Sequence, residues 1–384
     1  MSPGDRTATS DALHARVRRL IRAFERGEAM PEPFDALAAD LARFQAACVP
    51  GYARLCAARG VDPRAIARAA DAPAVPADAF KLARVFAFDE RDAAVTFRTS
   101  GTTLGARGRH PMRDVASYDA AALAFGRAML ARGIAPAGAR VPVLVIGPSA
   151  GEAPDSSLSH MCALFVRAFG DEALSGFFVR DGELAAPALR ARIAALPRET
   201  PAIVLATSFG LVHWLDALDA GDETVALPPG SRVMQTGGYK GRSREVSAAE
   251  LRRAVAKAFA VDERAVIAEY GMTELSSQFW EATLVDDAAG HGSFASPPWA
   301  RVVPVDPETL APVADGAIGI ARIEDLANVD SAFAVLTQDR VRRSGTRFEL
   351  LGRAPGAAPR GCSIALDEML SGPGVVAPGA PASR

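Results

Sequence analysis

Between Phe97 and His110 the chain reads FRTSGTTLGARGRH. The hydroxyls of Thr99, Ser100, Thr102 and Thr103 are interleaved with Gly101, Gly105 and Gly108, and Arg107 and Arg109 stand beside them. Glycines let the backbone turn sharply, so its N–H groups and the hydroxyls can converge on one anion. Neighbouring guanidiniums would neutralise that anion bidentately, as arginine does with phosphate. The chemistry implied is phosphate binding. Ser/Thr/Gly stretches also make ordinary turns, so the loop alone leaves both readings open.

The rest of the composition narrows the field. The 384 residues suffice for one large domain or two ordinary ones, and at 49% hydrophobic residues a large core can form. Net charge is -2, and no basic patch is interleaved with aromatics, which argues against a nucleic-acid binder. No apolar run approaches the roughly 20 residues of a membrane span. The N-terminus lacks the apolar core of a secretory signal. Four cysteines at irregular spacing suit reduced thiols in the cytosol, neither a disulfide framework nor a zinc site. Lysine occurs only as Lys81, Lys240 and Lys257, which makes each worth inspecting.

Elements that would position the loop follow from periodicity. In residues 1–75, Leu13, Val17, Leu20, Ile21 and Phe24 share one helical face, and Phe34, Leu37, Leu41 and Phe44 another. Cys48 and Cys56 fit core positions there. A Pro-rich connector then leads to Phe80-Lys81 and to a strand at 94–97 that enters the loop. Apolar runs at 141–146 and 202–206 have strand length and suit strands buried on both faces, with Pro142 marking a strand start or an edge, and further strands are read at 232–235 and 266–268. Helices fall between them at 117–132, after Ser156-Ser157, and after Ser247, where Ser247 and Glu250 spell a capping box. His160, in the second of these helices, is either a polar group lining a pocket or a structural histidine. Strand–loop–helix units of this kind make the chain α/β, with its loops gathered where ligands bind. Beyond Thr283 short strands and turns take over. The segment 346–370 follows, and a Gly/Pro/Ala-rich tail at 371–384 is expected to be disordered. Zinc, dinucleotide, ATPase P-loop and hydrolase-elbow patterns are missing from the sequence.

The loop at 97–110 and Tyr-Gly-Met-Thr-Glu at 270–274 together resemble the adenylate-forming superfamily of acyl and aryl ligases. Its phosphate loop, T-S-G-T-T-G-x-P-K-G, is matched in register by Thr99 to Gly108. Here Arg107 takes the lysine slot, while Leu104 and Ala106 depart from the glycine and the proline. QTGGYKGRS at 235–243, YGMTELSSQF at 270–279, SSLSHM at 156–161 and LLGR with PRGCSIALDEML at 350–370 resemble the acyl-protein synthetases of bacterial luminescence and their phenylacetate–CoA-ligase-like relatives. The resemblance covers about residues 75 to 370. It implies a superfamily N-terminal domain of stacked α/β sheets plus a small β-rich part (core 76–345), with a truncated C-terminal domain. The full-length ligases carry a catalytic lysine in that C-terminal domain, whereas no lysine follows Arg353 here.

By the same resemblance ATP lies among Thr99, Ser100, Gly101, Thr102, Thr103, Gly237, Gly238, Tyr239, Tyr270, Gly271, Met272, Thr273, Asp339 and Arg353. Tyr270 would stack on adenine, Thr273 would bond the α-phosphate, Asp339 the ribose, and Arg353 the ribose or a hinge. Glu274 would ligate Mg²⁺, a hard cation suited to carboxylate and phosphate oxygens. Lys240 and Arg107 would assist adenylation, and Ser157 and His160 would line the acyl pocket. Cys362 would take the acyl group as a thioester, a thiolate being the natural attacker of an acyl adenylate. The implied enzyme is a cytosolic, ATP- and Mg²⁺-dependent acyl-protein synthetase. Its substrate would be a small carboxylic acid, by resemblance a fatty acid, and its product would pass to an NADPH-dependent acyl reductase. The alternatives are an acyl- or aryl-CoA ligase and a non-catalytic nucleotide- or acyl-binding protein.

Overall fold

The computed structural model describes residues 1–99, 107–136, 138–219, 224–237, 246–354 and 360–370. Three helices come first: α1 (Pro3–Glu25), α2 (Phe34–Cys48) and α3 (Pro50–Ala58). The faces read from the sequence are the buried ones, Leu13, Val17, Leu20 and Ile21 on α1 and Leu37, Leu41 and Phe44 on α2. A buried polar relay fastens α1 to the rest. His14 meets the Ser117 hydroxyl at 2.8 Å through Nδ1 and Asp330 at 3.2 Å through Nε2.

The middle of the chain alternates as expected. β1 (Val75–Pro76) and the short α4 (Ala79–Leu82) lead to a hairpin of β2 (Val95–Arg98) and β3 (Arg109–Met112), the strands that flank the hydroxyl-rich stretch in sequence. Next come α5 (Ala116–Met129), β4 (Val143–Ile146), α6 (Ser157–Phe169) and β5 (Gly176–Phe177). A small hairpin of β6 (Val179–Arg180) and β7 (Glu183–Leu184) precedes α7 (Ala186–Ala194). Then follow β8 (Ile203–Thr207), α8 (Ser208–Asp219), β9 (Arg232–Thr236), α9 (Ala248–Phe259) and β10 (Val266–Tyr270). The capping box at Ser247 and Glu250 does start α9.

β5, β4, β8, β9 and β10 pair in parallel, in that order across the sheet. Both faces are covered, and successive residues alternate between them. Val143, Val145, Ile203, Leu205, Met234 and Ile267 join the core shared with α1, α5 and α6. Leu144, Ile146, Val204, Ala206, Val233 and Val266 join the core under α8 and α9, where Trp214 stacks on Phe259. This is why those runs are apolar without alternation. Pro142 sits just ahead of β4, an interior strand, so it marks a start and not an edge.

From β10 the sheet turns antiparallel. β11 (Phe279–Glu281), β12 (Ser293–Ala295), β13 (Ala300–Val305), β14 (Ile318–Asp325), β15 (Ala334–Ser344) and β16 (Arg347–Arg353) complete a 12-stranded sheet that β1 joins beside β15. Not all of these are the short strands expected. β15 runs for 11 residues, its outer half disguised by the polar stretch Gln338 to Ser344. Finally α10 (Arg360–Leu370) packs on α3, where Arg54 donates twice to the Met369 carbonyl, at 2.8 and 2.5 Å. No described helix is long and apolar enough to cross a membrane.

Candidate active site

The parallel strands end together at Gly147, Ser208, Gly237 and Gly271, the edge at which ligands bind in such sheets. Two glycines there have a steric reason. Gly237 has φ +71°, and a Cβ on Gly271 would come within 2.5 Å of a Glu269 carboxylate oxygen. Ser208, at the head of α8, donates to the Gly237 carbonyl at 2.7 Å and holds that turn in place.

Tyr270, at the end of β10, packs its ring among Phe279, Phe294 and Phe348, with centroids 5.9 to 6.4 Å away. Its hydroxyl donates to Asp339 Oδ2 at 2.8 Å. Asp339 faces Arg353 across β15 and β16, and Arg353 Nε lies 3.5 Å from its other oxygen. The fold thus joins Tyr270, Asp339 and Arg353 in one chain of contacts. Sequence distance gave no hint that these three touch.

Beyond Tyr270 the chain passes Gly271 and Met272 to Thr273 and Glu274. His110, on β3, is 2% exposed and its Nδ1 lies 2.7 Å from the Thr273 carbonyl. A carbonyl only accepts, so Nδ1 carries the hydrogen. Burial pushes the imidazole down to about 4, which keeps it neutral in that role. Glu274 is 6% exposed, and burial raises its carboxyl to about 7, partly offset by Lys81 and Arg353. Asn328 donates to the Glu274 carbonyl at 2.8 Å, and Asp325 accepts from Ser276 N and from the Ser277 hydroxyl at 2.9 and 2.7 Å. The 325–328 loop therefore clamps the segment that carries Thr273 and Glu274.

On the hairpin, Thr99 N donates to the Gly108 carbonyl at 3.0 Å, and Gly108 N to the Thr99 hydroxyl at 2.8 Å, closing the base of the β2–β3 loop. Arg107 is engaged beside it. It donates to the Thr99 carbonyl at 2.6 Å and pairs with Asp155 at 2.7 Å. Lys81 lies against Gly108, pairs with Asp78 at 2.6 Å, and is close enough to lower the Glu274 carboxyl. Ser100, Gly101, Thr102, Thr103, Gly238, Tyr239 and Lys240 lie outside the described residues.

A second group of polar contacts lies at the head of α6. Ser156 caps that helix through Ser159 N at 3.1 Å, and the Ser157 carbonyl accepts from Tyr118 at 3.2 Å. His160 reaches Asp119 at 2.6 Å, with its ring between Phe97 and Tyr118 at centroid distances of 5.4 and 5.6 Å. Glu269 belongs to the same neighbourhood. It is 7% exposed, accepts from the Thr236 hydroxyl, and is raised by burial to about 7.

Cys362 lies in the first turns of α10, 4% exposed, with its sulfur 3.7 Å from the Thr337 carbonyl. Thr337 is two residues from Asp339, and its hydroxyl accepts from Asp339 N at 3.0 Å. Burial, with Asp78 nearby, pushes the thiol up to about 12. Packed this way it is a thiol and not a thiolate.

Residues 28–371 match the family described as "Acyl-protein synthetase, LuxE". The chain belongs to the LuxE acyl-protein synthetase family. Its fold is that of adenylate-forming ligases. A 2-hydroxyisobutyryl-CoA ligase in complex with 2-HIB-AMP and CoA in the thioesterification state superposes with a TM-score of 0.60. It is 15% identical, over 92% of this chain and 69% of that one. The open conformation of the same ligase gives 0.58, at 15% identity over 82% and 74%. ATP-bound MatB from Rhodopseudomonas palustris gives 0.46, at 17% identity over 71% of this chain, which spans half of MatB's length. A comparison with curated proteins finds no match.

Sequence reasoning had no role for His110, Asn328 or Asp325. The bonds from Asn328 and Asp325 to the 274–277 segment span about fifty positions, with no local pattern to betray them. Lys81 did leave a signal, as one of only three lysines.

Proposed function

We propose that this chain activates a carboxylic acid with Mg·ATP and then carries the acyl group on Cys362. The observation that carries the reading is convergence. Tyr270, Asp339 and Arg353 form one contact chain, the Lys81 side chain lies against Gly108 at the base of the β2–β3 loop, and Cys362 abuts the strand that bears Asp339. A carboxylate oxygen of the substrate attacks the α-phosphorus, a P–O bond breaks, and pyrophosphate leaves with the electron pair. The work of the protein in this step is positioning and charge stabilisation. Asp339 accepts from ribose hydroxyls, Thr273 faces the α-phosphate with its carbonyl fixed by His110, and Lys81 supplies positive charge beside the loop base.

Among the described residues no cluster of three or more His, Cys, Asp or Glu forms a closed metal cage. Mg²⁺ keeps waters and phosphate oxygens and needs one or two carboxylates. Glu274 is the carboxylate that would hold it, and the ion would neutralise phosphate charge. In the second step the Cys362 sulfur attacks the acyl carbonyl, the C–O bond to AMP breaks with its electron pair leaving on AMP, and the departing phosphate oxygen takes the thiol proton. A fatty acid as substrate and an NADPH-dependent acyl reductase as the next acceptor complete this reading, with the cytosol as its setting.

Burial of Cys362 favours one rival, in which a free thiol such as CoA accepts the acyl group. Labelled carboxylic acids with Mg·ATP and CoA, followed by denaturation, separate the two. Label that stays on protein, is released by hydroxylamine and vanishes in Cys362→Ser supports the proposal. Label recovered only as acyl-CoA sinks it.

A further inference from the structure

His110 lies on β3 and Arg113 just past its end, and the two reach different partners. His110 Nδ1 holds the Thr273 carbonyl at 2.7 Å. Arg113 Nε lies 3.4 Å from Asp330 Oδ2, on the turn that follows β14. Asn328, on the same turn, donates to the Glu274 carbonyl at 2.8 Å and accepts from the Ser276 hydroxyl at 2.5 Å. The contacts close a circuit: Thr273 to His110, along β3 to Arg113, across to Asp330, and through Asn328 back to Glu274. At its centre is a pocket of about 20 Å³ lined by His110, Arg113, Ser276, Asn328 and Asp330. That is room for a water and for no larger guest.

Asp330 is the corner where this circuit meets the rest of the protein. It is 8% exposed, its Oδ1 accepts from Ser10 of α1 at 2.5 Å, and its Oδ2 faces His14 at 3.2 Å as well as Arg113. Its backbone carbonyl accepts from Ala87 N at 2.9 Å. Burial works against the charge, but His14, Ser10 and Arg113 outweigh it and hold the carboxyl below its ordinary value. Without that anion, Arg113 keeps only the exposed Asp11, at 2.6 Å, and the Ser10 hydroxyl, at 2.8 Å.

We propose that the Arg113–Asp330 pair positions the phosphate and Mg²⁺ end of the site, by fixing β3, which leaves the hydroxyl-rich stretch, against the segment that presents Thr273 and Glu274. The proposal rests on the reading of Glu274 as the Mg²⁺ carboxylate. Neither residue of the pair touches substrate; both act through His110 and Asn328. The nucleoside end, Tyr270 with Asp339 and Arg353, lies outside the circuit. A loosened circuit therefore weakens the response to Mg²⁺ and spares the grip on adenosine.

Equilibrium dialysis of the full chain with radiolabelled ATP, in Mg²⁺ or in EDTA, reads this without turnover. Wild type should bind ATP about ten-fold more tightly with Mg²⁺, a gain of about 1.4 kcal/mol. Asp330→Asn and Arg113→Met should lose most of that gain, and the double variant should do no worse than the weaker single. Arg113→Lys, which keeps the charge, should restore most of it. Adenosine affinity should stay within about two-fold, as expected of sites that share no partners. Pyrophosphate exchange should fall about ten-fold in both single variants, since small misplacements at a reacting centre are costly. Arg16→Ala is the control for simple loosening: it breaks the pairs to Glu32 and Asp40 and should lower the melting point while keeping the Mg²⁺ gain. A full Mg²⁺ gain in Asp330→Asn and Arg113→Met, with only their melting points lowered, overturns the positioning proposal alone. A gain lost in Arg16→Ala does the same. Wild type that binds no ATP, or binds it without regard to Mg²⁺, overturns the Mg·ATP reading and this proposal with it.

Discussion

The Tyr270 hydroxyl donates to Asp339 across 2.8 Å, although 69 positions separate the two in sequence. Tyr270 ends the last parallel strand and Asp339 belongs to the antiparallel half, so this one bond fastens the two kinds of sheet. Because Asp339 also meets Arg353, loss of the phenol hydroxyl leaves the carboxylate with its guanidinium but a freer rotamer.

Tyr270→Phe should therefore keep the ring packing against Phe279, Phe294 and Phe348 and lose the bond. The expected cost is about 1.5–3 kcal/mol, typical of a hydrogen bond to a charged group. A rise of about ten-fold in the KM for ATP, with kcat nearly unchanged, would show that Asp339 is held for ribose. Pyrophosphate exchange across ATP concentrations measures it.

His110→Asn and His110→Phe should differ. Asparagine can still donate to the Thr273 carbonyl, whereas phenylalanine leaves a buried carbonyl unpaired, at about 1–3 kcal/mol. Thermal melts should rank wild type and Asn above Phe, with exchange activity following the same order. Because the folded imidazole is held down to about 4 from 6.5, its share of stability is complete above pH 6.5 and is lost as pH falls toward 4. His110→Asn should flatten the melting curve over that window.

Glu269 predicts the opposite slope. Burial raises it from 4.5 to about 7, so its contribution is complete below pH 4.5 and is lost as pH rises through 7. The loss amounts to about 3 kcal/mol at most, because each tenfold change in proton affinity on folding is worth about 1.4 kcal/mol. Glu269→Gln keeps an acceptor for the Thr236 hydroxyl and should gain stability over wild type at pH 8 but not at pH 4.5. Denaturant titrations at the two pH values decide it; equal gains at both would remove the buried charge as the cause.

Arg54 holds the carboxyl end of α10 through the Met369 carbonyl, and α10 buries Cys362. Arg54→Ala should loosen the helix and raise modification of Cys362 by an aromatic disulfide reagent several-fold. Peptide mapping would separate that signal from Cys48, Cys56 and Cys162, which should not change.

Asn328→Ala removes the donors that fix Glu274 O and Ala332 O from a fully packed loop. An expected loss of about 2–3 kcal/mol follows from two buried carbonyls left unpaired. Exchange activity should drop further than the melting point alone explains, because the clamp also aims Thr273 and Glu274. Calorimetry and exchange assays on the same preparation compare the two.

The parallel half of the fold was legible because its strands are buried on both faces, which writes unbroken apolar runs such as Val143–Ile146 into the sequence. Ser247 and Glu250 announced α9 because a capping box is local chemistry. The antiparallel half was harder. β15 carries Gln338, Asp339, Arg340, Arg342 and Arg343 on one continuous strand, and such polarity reads as a turn until its partners are known. Resemblance singled out Tyr270, Asp339, Arg353 and Glu274, but their mutual contacts, and those of His110, Lys81 and Asn328, are long-range. No periodicity encodes a bond such as Tyr118 to Ser157, formed between two different helices.

One strand, β10, is parallel to β9 on one side and antiparallel to β11 on the other. Sliding it by a single residue would reverse which faces Glu269 and Tyr270 look toward, and would misalign both neighbours in the same stroke. The polar contact of Glu269 with Thr236 and the aromatic nest around Tyr270 therefore share one mechanical key. Damage to that seam should switch the enzyme off as a unit, so partial phenotypes ought to come from the loops and hardly ever from the strand itself.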